Sequence, residues 1–243
     1  MTTLCKTAVV TGANSGIGKA TLDLLLQRRY SVIAVDLNVD QLDGSRATVI
    51  AGDLASNDTP SLIAKAVSAS GSLDLLVNCA GIGGSQKLID SDDELLDRIV
   101  GVNLRSVLRL TRELLPLLRR PGGAIVNLAS VYGEVGRIGT TAYAVSKAGI
   151  SQLTRQLSAE LGSDGIRVNA VAPGCIVTAM TRDKIENDAE YRNAMIAGTP
   201  LKRVGDPSEV AEVITFLGSD GASFVNGQII AVDGGWLSSR GSF

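Results

Sequence analysis

Histidine is absent from this sequence of 243 residues, and cysteine and aromatic residues are scarce. Without histidine, and with Cys5, Cys79 and Cys175 far apart and outside any CxxC pair, the chain has almost no ligands for zinc or a transition metal. We therefore expect no metal site and treat the thiols as packing residues of a reducing compartment. The missing imidazole also means that another side chain must carry any acid/base chemistry.

The sequence also lacks a marked excess of either charge and lacks a long apolar run. A formal net charge of −2, no basic run and 3% aromatic residues argue against nucleic acid or an anionic membrane as a partner. No apolar stretch reaches the roughly 20 residues that a bilayer-spanning helix needs, and no signal-peptide pattern precedes the first strand. We expect a soluble, cytoplasmic protein.

Short β-rich runs alternate with helix-period segments along nearly the whole sequence. The predicted strands are Thr7–Thr11, Ser31–Asp36, Thr48–Gly52, Leu73–Asn78, Ala124–Leu128, Arg167–Ala172 and Gln228–Val232. The predicted helices lie near 17–29, 60–70, 92–118, 143–162 and 206–218. Because the strands are continuous apolar runs, we expect them to be buried on both faces. This pattern predicts an α/β fold, a Rossmann-like doubly wound parallel sheet of about seven strands with helices on both faces, in one domain over 1–243.

One segment, 178–205, departs from the alternation. It is polar and charged, follows the sixth strand and precedes a helix that we expect to begin with Asp206 as N-cap and Pro207 at its first position. A long insertion at the carboxyl end of a strand is suited to a substrate lid. A pair of surface helices without a gating role is the alternative.

A glycine-rich turn, the glycine loop over 11–18, joins the first strand to the first helix. Glycine permits a tight turn and lets a pyrophosphate approach the helix N-terminus, where free N–H groups and the helix dipole favour anions. We predict that dinucleotide contacts come from Gly12, Asn14, Ser15, Gly16, Ile17 and Gly18. The spacing is G-x3-G-x-G, and a purely structural turn is the alternative.

Asp36 ends the second strand, 18 residues after Gly18. A carboxylate there accepts hydrogen bonds from ribose hydroxyls and repels a 2′-phosphate, so we expect NAD rather than NADP. A capping or surface role is the alternative. Later strand ends add candidates for the adenine and ribose, namely Asp53, Leu54, Asn78, Ala80 and Gly81.

Tyr143 and Lys147 are the candidate catalytic pair. Their spacing of four residues places a phenol and an ammonium on one helix face. A nearby positive charge lowers the pKa of a tyrosine, so we expect Tyr143 to act as a general acid/base near neutral pH. Ser130, thirteen residues earlier, is the candidate hydroxyl partner.

Together these residues resemble the short-chain dehydrogenase/reductase family over essentially the whole chain. The resemblance is carried by TGANSGIG at 11–18, NCAG at 78–81, Asn103, Ser130, YAVSK at 143–147 and APG at 172–174. One departure is Cys79, where the family more often has asparagine.

The resemblance implies that Tyr143 moves the proton, that Ser130 hydrogen-bonds the substrate oxygen, and that Lys147 also binds the nicotinamide ribose. It further implies that Asn103 holds a water linking Lys147 to solvent. Nicotinamide contacts are expected from Pro173, Gly174, Ile176 and Thr178, and a homotetramer is expected.

The resulting expectation is an NAD-dependent oxidoreductase acting on a secondary alcohol or its ketone. A 3-oxoacyl-thioester reductase is a second possibility, although such enzymes usually use NADPH and carry a basic residue where this glycine loop has Asn14 and Ser15. A non-catalytic NAD-sensing binding protein is the alternative of another class.

Overall fold

The computed structural model describes residues 5–239, in which the strands form a parallel sheet. The strands are β1 Thr7–Thr11, β2 Ser31–Asp36, β3 Thr48–Ala51, β4 Leu75–Asn78, β5 Ala124–Leu128, β6 Arg167–Pro173 and β7 Ile229–Val232. Their spatial order is β3-β2-β1-β4-β5-β6-β7, so the direction of winding reverses between β1 and β4. Ligands of open parallel sheets bind at the carboxyl ends of the strands beside such a reversal.

Helices cover both faces of the sheet. In the described part of the chain they are α1 Gly16–Gln27, α2 Thr59–Ser70, α3 Asp93–Val100, α4 Ser106–Leu114, α5 Val131–Glu134, α6 Thr141–Leu161, α7 Arg182–Asn187, α8 Ala189–Ala197 and α9 Pro207–Leu217. The predicted doubly wound α/β architecture is confirmed. Each predicted strand lies within two residues of an observed strand at both ends.

Two apolar clusters on opposite faces of the sheet form the core. Val10 points into the cluster that contains Leu25 of α1 and Ile214 of α9. Its neighbour Val9 points the other way, into the cluster with Leu110 of α4. Because successive side chains of a strand alternate between faces, burial on both sides explains why these strands are apolar throughout. Burying one such side chain contributes about 1.5–3 kcal/mol.

The prediction of one continuous helix over 92–118 is wrong. Helices α3 and α4 are separated by a π-helical turn over Gly101–Arg105, and a 3-10 turn over Leu115–Leu117 follows α4. Periodicity alone cannot distinguish a single wide turn from an α-helix, since the apolar stripe continues through it. Asn103 lies within this turn and is fully buried.

The segment 178–205 contains the short helices α7 and α8. Its role as a substrate lid stays a prediction. The predicted start of the next helix is confirmed, because Asp206 accepts a hydrogen bond from Ser208 N (2.9 Å) while Glu209 Oε2 accepts one from Asp206 N (2.8 Å). Within residues 5–239, no helix is both long and apolar enough to cross a membrane.

Candidate active site

The glycine loop packs so closely that two of its glycines have no room for a side chain. Gly12 has a φ of +68°, and a Cβ there would lie 2.9 Å from the Cα of Ala80. A Cβ on Gly18 would lie only 2.0 Å from the carbonyl oxygen of Gly12. Helix α1 begins at Gly16, and its N-cap residue Ser15 makes no side-chain capping hydrogen bond. The first N–H groups of α1 therefore stay available for an anionic ligand.

Thr11 fixes the glycine loop against the end of β4. Its hydroxyl oxygen accepts hydrogen bonds from the backbone N–H groups of Cys79 (3.0 Å) and Ala80 (3.1 Å). Two neighbouring strand ends are thus joined at the point where the winding reverses.

A cleft of about 410 Å³ runs along the carboxyl ends of the strands. Most of the predicted site residues line it, namely Gly12, Ser15, Gly16, Ile17, Gly18, Asp36, Asp53, Leu54, Ala80, Gly81, Ser130, Tyr143, Pro173, Gly174, Ile176 and Thr178. Among residues 5–239, the charged residues that line it are Asp36 and Asp53, and none of its lining residues is a lysine or arginine. One end of the cleft therefore favours hydroxyl donors and disfavours a phosphate.

Three predicted dinucleotide contacts, Asn14, Asn78 and Lys147, do not line the cleft. The side-chain amide of Asn14 donates to Asp40 (2.8 Å) and its oxygen accepts from the backbone N–H of Gln41 (2.8 Å). Asn78 is buried, and its side chain donates to Thr111 (3.2 Å) and Asn127 (2.9 Å). These asparagines join neighbouring elements, a role that a local motif does not reveal because the partners are distant in sequence.

Several cleft residues escaped the sequence-based site prediction. They are Leu37, Gly52, Cys79, Ile82, Val102, Leu128, Ala129, Ala179, Met180 and Thr181. Each except Thr181 lies within two positions of a predicted site residue or strand end, and Val102 is next to Asn103. Ala179, Met180 and Thr181 also belong to the segment 178–205, which the sequence predicts as a substrate lid. Proximity to these positions was the available signal.

Ser130 and Tyr143 meet at the other end of the cleft. Ser130 is the N-cap of α5 and accepts a hydrogen bond from Tyr132 N (3.2 Å). Tyr143 lies in the first turn of α6, and the Ser130 hydroxyl is close enough to its phenol to act on the pKa of Tyr143. The structure therefore brings the two predicted hydroxyl groups into one cleft. Within 5–239, no group of three or more histidine, cysteine, aspartate or glutamate side chains could hold a metal ion.

Lys147 lies beside this pair but is held by the main chain. Its Nζ donates to the carbonyl oxygen of Leu128 (2.7 Å) and lies 5.8 Å from the centre of the Tyr143 ring. The side chain is almost fully buried, and burial lowers the pKa of Lys147 to about 8. Lys147 is not among the lining residues of the cleft, although a Cβ on the lining residue Gly81 would lie 3.4 Å from its Nζ.

The expectation of a lowered tyrosine pKa is wrong for this structure. Burial raises the pKa of Tyr143 above its ordinary value, and the hydrogen bond with Ser130 opposes the rise without cancelling it. The sequence pattern predicted the attraction of a nearby ammonium but not the cost of burying a phenolate, which here is larger. At neutral pH the phenol therefore carries its proton.

Asn103 supports the same region from the π-helical turn. Its amide group donates to Ile82 O (2.9 Å) and accepts from Ile82 N (2.8 Å). It also donates to Ser146 of α6 (3.2 Å), next to Lys147. Asn103 thus joins the loop after β4 to α6, and π-helical turns frequently occur at functional sites.

Comparison with known proteins agrees with this geometry. A family model described as enoyl-(acyl carrier protein) reductase matches residues 12–237, which include the glycine loop and the Ser130–Tyr143 pair. A 3-oxoacyl-[acyl-carrier-protein] reductase of Thermotoga maritima is 40% identical over 95% of this chain and 97% of its own length. The chain belongs to the short-chain dehydrogenase/reductase family.

Other members of the short-chain dehydrogenase/reductase family show the range of related activities. A cis-4-hydroxycyclohexanecarboxylate dehydrogenase of Sinomonas cyclohexanicum is also 40% identical, over 96% of this chain and 97% of its own length. The solved structure of a 4-hydroxyisoleucine dehydrogenase with NADH superposes with a TM-score of 0.89, at 31% identity, covering 96% of this chain and 99% of that one. The family and fold are thus shown, and this protein is a short-chain oxidoreductase.

Proposed function

We propose that this oxidoreductase uses NAD(H) to interconvert a secondary alcohol and its ketone, with Tyr143 as the acid/base group. The observation that carries the proposal is that Ser130 and Tyr143 line the same cleft, which also presents Asp36. Two hydroxyl groups that meet at one point can hold and protonate a single substrate oxygen.

The residues present fit a dinucleotide. A pyrophosphate would fit against the glycine loop. Gly12 and Gly18 have no side chains to obstruct it, and the first N–H groups of α1 have no side-chain capping partner. Asp36 would accept the adenosine ribose hydroxyls, with Asp53 and Leu54 beside the adenine, while Pro173, Gly174, Ile176 and Thr178 would hold the nicotinamide end. When bound, the cofactor supplies or accepts the hydride.

The protein's own residues would manage the proton. In reduction, Ser130 donates a hydrogen bond to the carbonyl oxygen and Tyr143 gives that oxygen a proton as the carbon gains a hydride. In oxidation, Tyr143 as phenolate takes the hydroxyl proton as the carbon loses its hydride. The Lys147 ammonium would hold the nicotinamide ribose, and Asn103 would position a water that returns the proton to solvent.

The decisive experiment is a screen of secondary alcohols and ketones with NAD(H) and NADP(H), following the absorbance of the reduced nicotinamide. Turnover that prefers NAD(H) is expected. No turnover of any alcohol or ketone, with either cofactor, would refute the proposal and leave a non-catalytic NAD-binding protein as the better account.

A 3-oxoacyl-thioester reductase is a second candidate, favoured by the family model and by the Thermotoga maritima relative. The absence of lysine and arginine from the lining of the cleft speaks against the NADPH such enzymes usually use. Acetoacetyl thioester should therefore be a poorer substrate than the best alcohol, measured as kcat/KM. The reverse order, with NADPH preferred, would make this candidate the function.

The protein would act as a cytoplasmic homotetramer of single-domain subunits. Apolar side chains stay exposed on α3, α4 and α6, with Val100 37%, Leu108 45% and Val145 61% exposed. Other apolar residues of α4, such as Leu110 and Leu114, are buried within the subunit. A monomeric mass in sedimentation at micromolar concentration would contradict the tetramer.

A further inference from the structure

Arg137 is a half-buried cation without a carboxylate partner in residues 5–239. It follows α5, seven residues after Ser130, and the structure shows no carboxylate of the described chain within 4.0 Å of its guanidinium nitrogens. Five other described arginines have such partners, namely Arg28, Arg119, Arg120, Arg155 and Arg203. Other half-buried arginines, such as Arg109 and Arg167, donate to backbone carbonyls instead, whereas the Arg137 guanidinium has neither kind of acceptor among residues 5–239. A partly desolvated charge without a partner is costly, so its retention here points to a ligand.

The nearest acid in the sequence is already engaged elsewhere. Glu134 accepts a hydrogen bond from Ser151 (2.5 Å) and lies 3.7 Å from Arg155. Both partners of Glu134 lie in α6, so Glu134 does not neutralise the charge of Arg137.

Tyr132 connects Arg137 to the catalytic pair. The guanidinium carbon lies 5.1 Å from the centre of the Tyr132 ring, and Tyr132 N donates to Ser130. The same ring packs edge-on against Trp236, with centres 5.8 Å apart, and its hydroxyl donates to the sulfur of Met195 (3.8 Å). Stacking on a fixed ring occupies the face of the guanidinium and leaves its N–H edges available.

The surroundings of Arg137 add no competing anion. Cys175 and Tyr191 lie close enough to affect each other's pKa, and the charge of Arg137 acts on both. Burial raises the pKa of Cys175 and of Tyr191, so both keep their protons at neutral pH. A carboxylate bound beside Arg137 would therefore lie near the neutral side chains of Cys175 and Tyr191.

We propose that Arg137 binds the carboxylate of the substrate, which makes the substrates hydroxy acids and the corresponding oxo acids. Because Arg137 contacts the Tyr132 ring and does not line the cleft beside Ser130, we expect several carbons between the carboxylate and the carbinol carbon. The planar fork of a guanidinium matches a carboxylate with two parallel hydrogen bonds. This proposal rests on the alcohol/ketone activity proposed above and names its substrate class; the carboxylate itself is unchanged by the reaction.

The first test measures binding without catalysis. Cyclohexanecarboxylate and its uncharged amide are titrated calorimetrically into the NADH-saturated protein. We expect the carboxylate to bind about tenfold or more tightly than the amide, as a charge-assisted pair implies. Arg137→Met should abolish that difference and Arg137→Lys should retain part of it. Arg46→Met, at an exposed arginine far from α5 in the sequence, is the matched control.

The second test measures turnover of cis-4-hydroxycyclohexanecarboxylate and of cyclohexanol. Arg137→Met should raise KM for the acid about tenfold or more and leave kcat/KM for cyclohexanol within about twofold. Equal binding of carboxylate and amide by the unmodified protein, or an equal loss on both alcohols, would overturn the proposal.

The outcomes also separate this proposal from the function on which it rests. Turnover of neutral alcohols without a carboxylate preference refutes only the role of Arg137. Carboxylate-selective binding that depends on Arg137, without turnover of any alcohol, refutes the proposed alcohol/ketone activity and leaves the anion site intact.

Discussion

The carboxylate of Asp36 accepts a hydrogen bond from the backbone N–H of Asn14 at 2.9 Å. The end of β2 is thereby tied to the glycine loop, and the negative charge is fixed at the edge of the cleft. In the proposed function, the carboxylate that orders the loop would also accept the ribose hydroxyls.

Replacing Asp36 by asparagine should reduce the preference for NAD over NADP by about tenfold or more, because repulsion of a 2′-phosphate is removed. Asparagine keeps an acceptor oxygen for Asn14 N, so the loop should stay ordered. The measurement is kcat/KM with each cofactor. An unchanged ratio would mean that Asp36 only caps the loop.

Replacing Tyr143 by phenylalanine should reduce turnover by about 10²–10⁴-fold, as expected for loss of a general acid/base. NADH affinity, measured by fluorescence titration, should stay within about threefold. Tyr30→Phe is the matched control, since Tyr30 packs against the core cluster of α1 and α9. Activity close to that of the unmodified protein would assign proton transfer to another group.

Replacing Gly18 by alanine should destabilise the fold by about 1–3 kcal/mol and weaken dinucleotide binding, because the new Cβ overlaps the carbonyl of Gly12. Gly44→Ala is the control, since no atom lies within 4 Å of a Cβ there, and its effect should stay within about 0.5 kcal/mol. Urea unfolding measures both. Equal stabilities would show that the loop can widen freely.

The buried lysine gives stability a defined pH dependence. Burial lowers the pKa of Lys147 from 10.5 to about 8, so between pH 8 and about 10 the unfolded chain binds more protons than the folded protein. The Lys147 contribution to the free energy of unfolding should therefore rise with pH in this window, by at most about 1.4 kcal/mol per pH unit.

Lys147→Met should remove that rise, as measured by urea unfolding across the same pH window. The exposed Lys87→Met is the control and should retain it. A slope unchanged by Lys147→Met would show that the ammonium keeps its ordinary affinity for the proton after folding.

Sequence reasoning succeeded where a local rule applies. Buried parallel strands are apolar throughout, and Asp206 with Pro207 is a recognisable helix start, so both were predicted within two residues. The strand ends also located most of the cleft, since parallel strands gather their carboxyl ends at one edge of a sheet.

The incorrect or missed predictions concern a pKa that depends on opposing effects and side chains whose contact partners are distant in the sequence. The pKa of Tyr143 depends on how burial compares with hydrogen bonding, which no spacing encodes. Asn78 resembles a ligand in its motif but binds Thr111 and Asn127, residues far along the chain. In the sequence Arg137 is only a charge seven residues after Ser130, because its contact with the Tyr132 ring depends on how the loop after α5 folds back.

The π-helical turn at 101–105 holds one more residue than an α-helical turn of equal span. Helices α3 and α4 can therefore keep their packing faces while Asn103 reaches the loop after β4. Deleting a single residue there would restore an unbroken spiral with the outer faces still in phase. A relative shortened by one residue at this turn would keep the helix packing but lose the hydrogen bonds between Asn103 and Ile82. The number of residues in the turn therefore indicates whether a relative has these hydrogen bonds, which overall sequence identity does not.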